Sequence, residues 1–221
     1  INNMLGSLMQ QGNKANEAKL PPTYSFDYIM NMTTWEEGKE NKKNTVAFMW
    51  DNKKKYTGVK NEGDYIIIDN DQEIIVQYDN QEKEANVMPN VMKSFSAFLN
   101  ESAEENNTKI ISIKRTGNRK MIHGLKCEEI LVETEDANSK NWVTYDLNTS
   151  LQEILSSSMG VQLESFIDEQ YSEEFKDAMA LYSESTNKKD GEKSFMEVTG
   201  IERNFSVNNS NYTIQRMGSN Q

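Results

Sequence analysis

The chain has 221 residues, enough for one large or two small domains, and only 36% of them are apolar, so the core is thin and one sheet face is expected to be wet. Asp and Glu outnumber Lys and Arg by 35 to 24, and the resulting net charge of −11 repels nucleic acid and anionic membrane surfaces. No window reaches the roughly 18 apolar residues of a membrane-spanning helix, and a lone cysteine cannot form an internal disulfide.

Ile1, Met4, Leu5, Leu8 and Met9 recur at helical spacing and predict a short N-terminal helix, which polar Gln10 to Lys19 then links onward, so 1–20 reads as an extension. After Pro21-Pro22 the period falls to two. Tyr24, Phe26, Tyr28, Met30 and Met32 are expected on one face of a long half-buried strand, with Ser25, Asp27, Asn31 and Thr33 on the other. The segment Trp35 to Asn44 reads as a solvated connection, and Val46, Phe48 and Trp50 share one face of the next strand. Lys54 to Lys60, Asp64 to Asp69 and Glu73 to Tyr78 follow as strands joined by Asn- and Gly-rich turns, which implies an antiparallel meander.

Helical spacing returns from Pro89 to Leu99, with Val91, Phe95, Phe98 and Leu99 on one side. Strands resume at Lys109 to Lys114, Cys127 to Thr134 and Asn141 to Asp146. Thr149 and Gln152 form a capping-box pair ahead of a helix striped by Leu151, Ile154, Leu155 and Met159, and a second helix is expected over Glu173 to Ser185. The chain then ends in two strands around an Asn-rich turn. These elements give about nine to eleven strands in a single mainly β (α+β) domain over 21–217. Helical inserts fall near 89–100 and 148–185, and 218–221 form a tail.

The only histidine, His123, and the only cysteine, Cys127, invite comparison with a thiol-imidazole pair, in which imidazolium stabilises a thiolate. Gly124 lies between them and the flanks read as turn and then strand, so an extended separation of about 13 Å keeps them apart. His123 is expected in a turn and Cys127 in a strand. With one of each residue, a zinc site of Cys and His ligands cannot be assembled, and the glycine-rich nucleotide loops and the G-x-S-x-G elbow are missing. "DNDQE", with Asp69, Asp71 and Glu73, places carboxylates at alternate positions as a calcium loop does. It lacks that loop's glycine and distal glutamate and reads as a hairpin turn. No catalytic residue, metal ligand or cofactor is expected.

The most informative feature is apolar. Phe26, Tyr28, Met30, Phe48 and Trp50 form a face rich in aromatic rings and flexible methionine, which serves either as ordinary core or as the lining of an apolar ligand site.

Three stretches carry a resemblance: "PPTYSFDYIMNM", "TGNRKMIHGLKCEEILVETEDANSKNWVTYDL" and "MEVTGIERNFSVNNSNYTI". Across about Pro21 to Met217 the chain resembles the extracytoplasmic bacterial family catalogued as domain of unknown function 4412. Cys127 and Trp142 match that family's motif, which assigns neither a role. The insert from Asn148 to Ser185 is longer and more acidic than the family pattern. The resemblance implies export from a Gram-negative cytoplasm to the periplasm, the extracellular space or the outer membrane, and the start at Ile1 fits a chain whose leader has been removed. It also implies a fold similar to the periplasmic lipoprotein carriers, a strongly curved antiparallel sheet forming an open, unclosed barrel with helices covering its concave side. The expected function is non-enzymatic shelter of a lipid or other apolar ligand, with Phe26, Tyr28, Met30, Phe48 and Trp50 lining the cavity. The alternative is an envelope interaction module whose acidic surface engages a basic protein. A third reading, an enzyme acting through carboxylates, requires two carboxyl groups converging in one pocket.

Overall fold

A computed structural model describes residues 15–61, 63–90, 110–150, 153–154, 175 and 177–216. Among these, the first six strands are β1 (Thr23–Glu36), β2 (Asn44–Trp50), β3 (Tyr56–Asn61), β4 (Asp64–Asp69), β5 (Ile74–Asp79) and β6 (Glu84–Pro89). A second run comprises β7 (Ile110–Ile122), β8 (Leu125–Thr134), β9 (Ala137–Thr144), β10 (Met179–Asn187), β11 (Lys193–Asn208) and β12 (Thr213–Arg216). All twelve join one sheet in the order β12-β6-β5-β4-β3-β2-β1-β11-β10-β9-β8-β7. Two meanders are thus sewn together along β1 and β11, which pair antiparallel from Thr23↔Asn208 to Glu36↔Ser194.

Local chemistry sets the turns. Asp69 Oδ1 accepts from the N–H groups of Asp71 and Gln72 at 3.1 and 3.0 Å, and Asp79 Oδ1 does the same for Gln81 and Glu82 at 2.8 Å. Each turn closes on a residue of positive φ, Glu73 and Lys83, so the β4–β5 and β5–β6 connections repeat one Asx-turn device. The β7–β8 hairpin turns on His123 and Gly124, whose φ values of 49° and 76° are those a two-residue type I′ turn demands.

The sheet curls far enough to bring distant strands together. β12 follows β11 after a one-turn 3-10 helix at Asn209–Asn211 and pairs with β6, at the other end of the first meander. That pairing is parallel because β12 continues in the direction of β11 and β6 runs the same way. The Tyr78 and Tyr212 rings meet edge to face at 4.8 Å, and Tyr65 on β4 reaches Phe205 on β11 at 5.6 Å. This half encloses a first apolar cluster, which includes Tyr24, Phe26, Met49, Ile67, Ile74, Val76, Tyr78, Val87 and Val207. Gly58 belongs here by necessity, since a Cβ would stand 2.5 Å from Met49 Cε and 3.2 Å from the Ile66 carbonyl.

A second cluster gathers Met30, Phe48, Trp50, Leu125, Cys127, Leu147, Ile154, Met179, Leu181 and Val198. Strand β2 separates the two cores. Ala47 and Met49 enter the first cluster while Phe48 and Trp50 enter the second, so alternate side chains of one strand serve both. The near-continuous apolar run VAFMW is the signature of a strand buried on both faces, and the expected wet face is not found here. The other half curls as well: at the tip of the β7–β8 hairpin, His123 Nε2 lies 2.7 Å from the Val198 carbonyl of β11, three strands away in the sheet order.

Several expectations need correction. Tyr24, Phe26, Tyr28, Met30 and Met32 do not share one face: Tyr24 and Phe26 pack in the first cluster, and Tyr28, Met30 and Met32 with the second. The alternation slips between Phe26 and Ile29, where Phe26 pairs with Phe205, Tyr28 with Arg203, and the intervening Asn204 takes φ +59°. A 14-residue strand twisting between two cores changes the side it buries. The helix expected over Glu173 to Ser185 is strand β10 from Met179 onward. Met179 and Leu181 are buried in strand alternation, and pairing with β9 and β11 outweighs a helical spacing only four residues deep. Strand β6 was not foreseen.

The helix over Pro89 to Leu99 lies outside the described residues after Asn90, as do the N-terminal stripe from Ile1 to Met9 and most of the 148–185 insert. Helices covering the concave side are therefore not found among the described residues, where Leu147, Ile154 and Phe175 pack against the sheet instead. The polar linker ends packed rather than free: Ala15 and Ala18 are buried in the first cluster, and Arg216 Nη1 donates to the Ala15 carbonyl at 2.8 Å.

Candidate functional site

Of the five side chains expected to line a ligand cavity, Tyr28, Met30, Phe48 and Trp50 come together in the second cluster and Phe26 goes to the first. Met30, Phe48 and Trp50 are buried; Tyr28 is half-buried and stacks on Trp50 at 5.1 Å. The Arg203 guanidinium lies 5.3 Å from the Tyr28 ring, completing a cation-aromatic-aromatic column. Trp50 Nε1 is buried with no hydrogen-bond partner among the described residues.

The second cluster reaches the surface at two places. Met196, which packs against it, lines an open groove of about 550 Å³ with Trp35, Phe195, Ser183, Ser185 and Ser194. Trp50 and Ile154 line a small pocket of about 120 Å³ rimmed by Asn52, Lys54 and Glu153. A separate opening of about 250 Å³ lies among Arg115, Arg119, Lys126, Cys127, Glu128, Val143, Tyr145 and Asp146, where Arg119, Lys126, Glu128 and Val143 share the face of the sheet opposite to the Cys127 side chain. Trp50 is the one expected site residue that lines any of these openings; Tyr28, Met30 and Phe48 pack in the same cluster without lining them, and Phe26 lies in the first cluster.

His123 and Cys127 sit as their sequence context implies, in the hairpin turn and on β8. The His123 ring is committed to Val198, and the Cys127 Sγ lies 3.7 Å from the Leu125 carbonyl. Burial pushes the Cys127 thiol up, away from the thiolate that nucleophilic chemistry needs. Asp69 occupies the expected turn, where its second oxygen accepts from the Tyr24 hydroxyl at 3.0 Å, and no cluster of three or more potential metal ligands occurs among the described residues. Glu128 and Glu129 diverge as neighbours on a strand must. Glu128 pairs with Arg115, and Glu129 accepts from Thr116 Oγ1 and Asn118 Nδ2, bonds that hold its carboxyl below the usual range.

Two features of the β7 region were missed. Lys120 Nζ stands 4.1 Å from the Trp142 ring and 5.5 Å from the Tyr182 ring, and Arg115 and Arg119 border the third opening on the other face. The basic run Lys114, Arg115, Arg119, Lys120 in an acidic chain was the available signal.

No family model matches the chain, so its resemblance to the 4412 family has no match behind it, and no curated protein is similar to it. Among solved structures the chain is similar to PNGF-II, at 14% identity and a TM-score of 0.37 over 88% of its own length; it spans 31% of that longer chain. It is also similar to a LolA superfamily protein from Nitrosomonas europaea, at 10% identity and a TM-score of 0.26, covering 93% of this chain and 97% of that one. A protein of the domain of unknown function 1329 family from Desulfovibrio piger gives 9% identity and a TM-score of 0.20, with 89% and 92% covered. The site is therefore read from its own residues.

Proposed function

We propose that this chain is a non-enzymatic extracytoplasmic protein that shelters a lipid, an acyl chain or another apolar ligand against its second cluster. The observation that carries the reading is the make-up of that cluster, in which Met30, Met32, Met179 and Met196 pack with Phe48, Trp50 and Tyr28 and which meets the surface at two openings. Flexible thioethers can move aside for an irregular apolar chain where a close-packed aliphatic core would resist it. The unused Trp50 N–H supplies a donor for a polar group carried inward. No helix among the described residues is long and apolar enough to cross a membrane.

Organic extraction of gently purified protein, followed by mass spectrometry, is the direct test, together with uptake of a fluorescent fatty acid. A lipid recovered near one per chain and weakened uptake by Met196→Glu are expected. An empty protein that takes up no probe would sink the reading. The second reading, an envelope module engaging a basic partner, is favoured by the net charge of −11 and predicts association that fades with salt, since the screening length is about 10 Å at 0.1 M.

A further inference from the structure

The groove at Met196 is continuous with the second cluster along one face of the sheet. Between β1 and β2 the alternate cross-strand pairs are Thr34↔Asn44, Met32↔Val46, Met30↔Phe48 and Tyr28↔Trp50, and residues two apart on a strand share a face. The last three pairs belong to the second cluster, and the first lines the groove. On β11 the same step of two leads from Val198 in the cluster to Met196 and then Ser194. Met196 pairs with Thr34 on β1 and Ser183 on β10, and Ser194 pairs with Glu36 and Ser185, so all of these side chains lie on the cluster's face. Trp35 and Phe195 alternate with them, and their stacked rings belong to the opposite face.

The chemistry changes along this face. From Trp50 to Val46 it is apolar, and at the groove it turns to hydroxyl and amide groups. The hydroxyls of Thr34, Ser183, Ser185 and Ser194 and the Asn44 amide have no hydrogen-bond partner among the described residues, whereas Ser139 and Asn141, next along the same rows on β9, bond to each other at 3.0 Å. Charge is confined to the rim, where Lys39 binds Glu36 and Lys42 comes from the same β1–β2 connection. Hydroxyl and amide groups both donate and accept, as the hydroxyls of a glycerol or a sugar do, while a carboxylate or phosphate only accepts. At about 550 Å³ the groove is of a size that holds a small ligand. From Asn44 to Trp50 the face is about 20 Å long by the rise of a β-strand, and the buried, unpartnered Trp50 N–H lies at its far end.

We propose that this groove takes the uncharged, hydroxyl-bearing headgroup, glyceryl or glycosyl, of an amphiphile whose apolar chain runs along the second cluster. Thr34, Asn44, Ser183, Ser185 and Ser194 are the headgroup ligands. Met32 and Met196, both half-buried, stand where headgroup gives way to chain. The proposal rests on the apolar-ligand reading and adds to it the chemistry of the headgroup and the end of the sheet at which it is held.

The test uses the full chain, the monoglyceride of a fluorescent polyene fatty acid, the methyl ester of the same acid, the free acid, and glycerol alone. The monoglyceride is expected to bind about tenfold more tightly than the methyl ester, a gap near 1.4 kcal/mol that one or two net hydrogen bonds supply, and to keep that advantage as salt is raised. The triple variant Ser183→Ala, Ser185→Ala, Ser194→Ala removes hydroxyls that bond to nothing in the described chain, so its fold is expected to persist. In it the monoglyceride should fall to the ester's affinity while the ester is unchanged. Equal binding of monoglyceride and ester to the parent chain overturns the headgroup assignment and leaves the apolar site standing. Tightest binding by the free acid, fading with salt, also overturns it, since the lysines of the rim would then select an anion. Glycerol binding as tightly as the monoglyceride overturns it as well, because a free polyol would be the occupant. Failure of monoglyceride, ester and acid alike to bind sinks the apolar site and this subsite together.

Discussion

At the residue scale, the first cluster hides two phenols whose protons it cannot release. The Tyr24 hydroxyl donates to Asp69, and the Tyr78 hydroxyl donates to Asn209 Oδ1 at 2.6 Å. Burial above all, with the Asp69 charge beside Tyr24 and Tyr212 beside Tyr78, pushes both well above the ordinary value of 10.0. The folded chain then holds these protons more tightly than the unfolded chain does, so stability is fully present below about pH 10 and is lost as pH climbs past it. Circular dichroism from pH 8 to 12 should show unfolding that begins above pH 10, and Tyr24→Phe should make that loss shallower. The same variant should cost about 1–2 kcal/mol at neutral pH, because Asp69 Oδ2 keeps its burial and loses its donor. Much at this scale was legible: Gly124 placed His123 in a turn, and the acids of "DNDQE" made a hairpin. The grouping of Arg119 with Lys126 was not. Gly117, at φ +88°, lies within the register shift between Arg115 and Arg119, and a bulge changes which side chains share a face without marking the hydrophobic pattern.

At the scale of elements, β12 does more than its four residues suggest. It covers the edge of β6, sets Tyr212 against Tyr78, and lets the Tyr212 hydroxyl donate to Asn80 Oδ1 at 2.5 Å. Tyr212→Ala removes a half-buried ring, an edge-to-face contact and this hydrogen bond, and should lower unfolding free energy by about 2–4 kcal/mol in a urea titration. A change below 0.5 kcal/mol would mean that β12 is not held in place. The terminal strands and their Asn-rich turn were readable, but their partners were not, since Ile214 and its neighbours pair with residues far away in sequence. Strand β6 escaped because Ala85 and Val87 give only two alternating apolar positions before Pro89.

At the scale of the whole molecule, the antiparallel meander and the mainly β class followed from period-two runs and turn chemistry. That the sheet would wrap two cores, one on each side of β2, did not. Alternation tells which side chains agree with one another and is silent on whether the opposite face meets water or a second core. The VAFMW run was the one local hint. Because β1 and β11 lie mid-sheet with neighbours on both sides, their amides should exchange most slowly with solvent deuterium, and those of the edges β7 and β12 fastest. Comparable rates for β1 and β7 would argue against the strand order.

The pairing of β1 with β11 also has a consequence for synthesis. On the ribosome the first strand emerges long before its partner, and the six strands of the first meander must wait with one side of β1 unmatched and β6 uncovered until nearly the whole chain is made. The final stitches, β11 on β1 and β12 on β6, each close a very long loop, so folding belongs to the slow, milliseconds-to-seconds regime of non-local β topologies. A chain released before Lys193 would leave both cores unsealed, with strand edges open to other chains. The arrangement ties native packing to completion of translation.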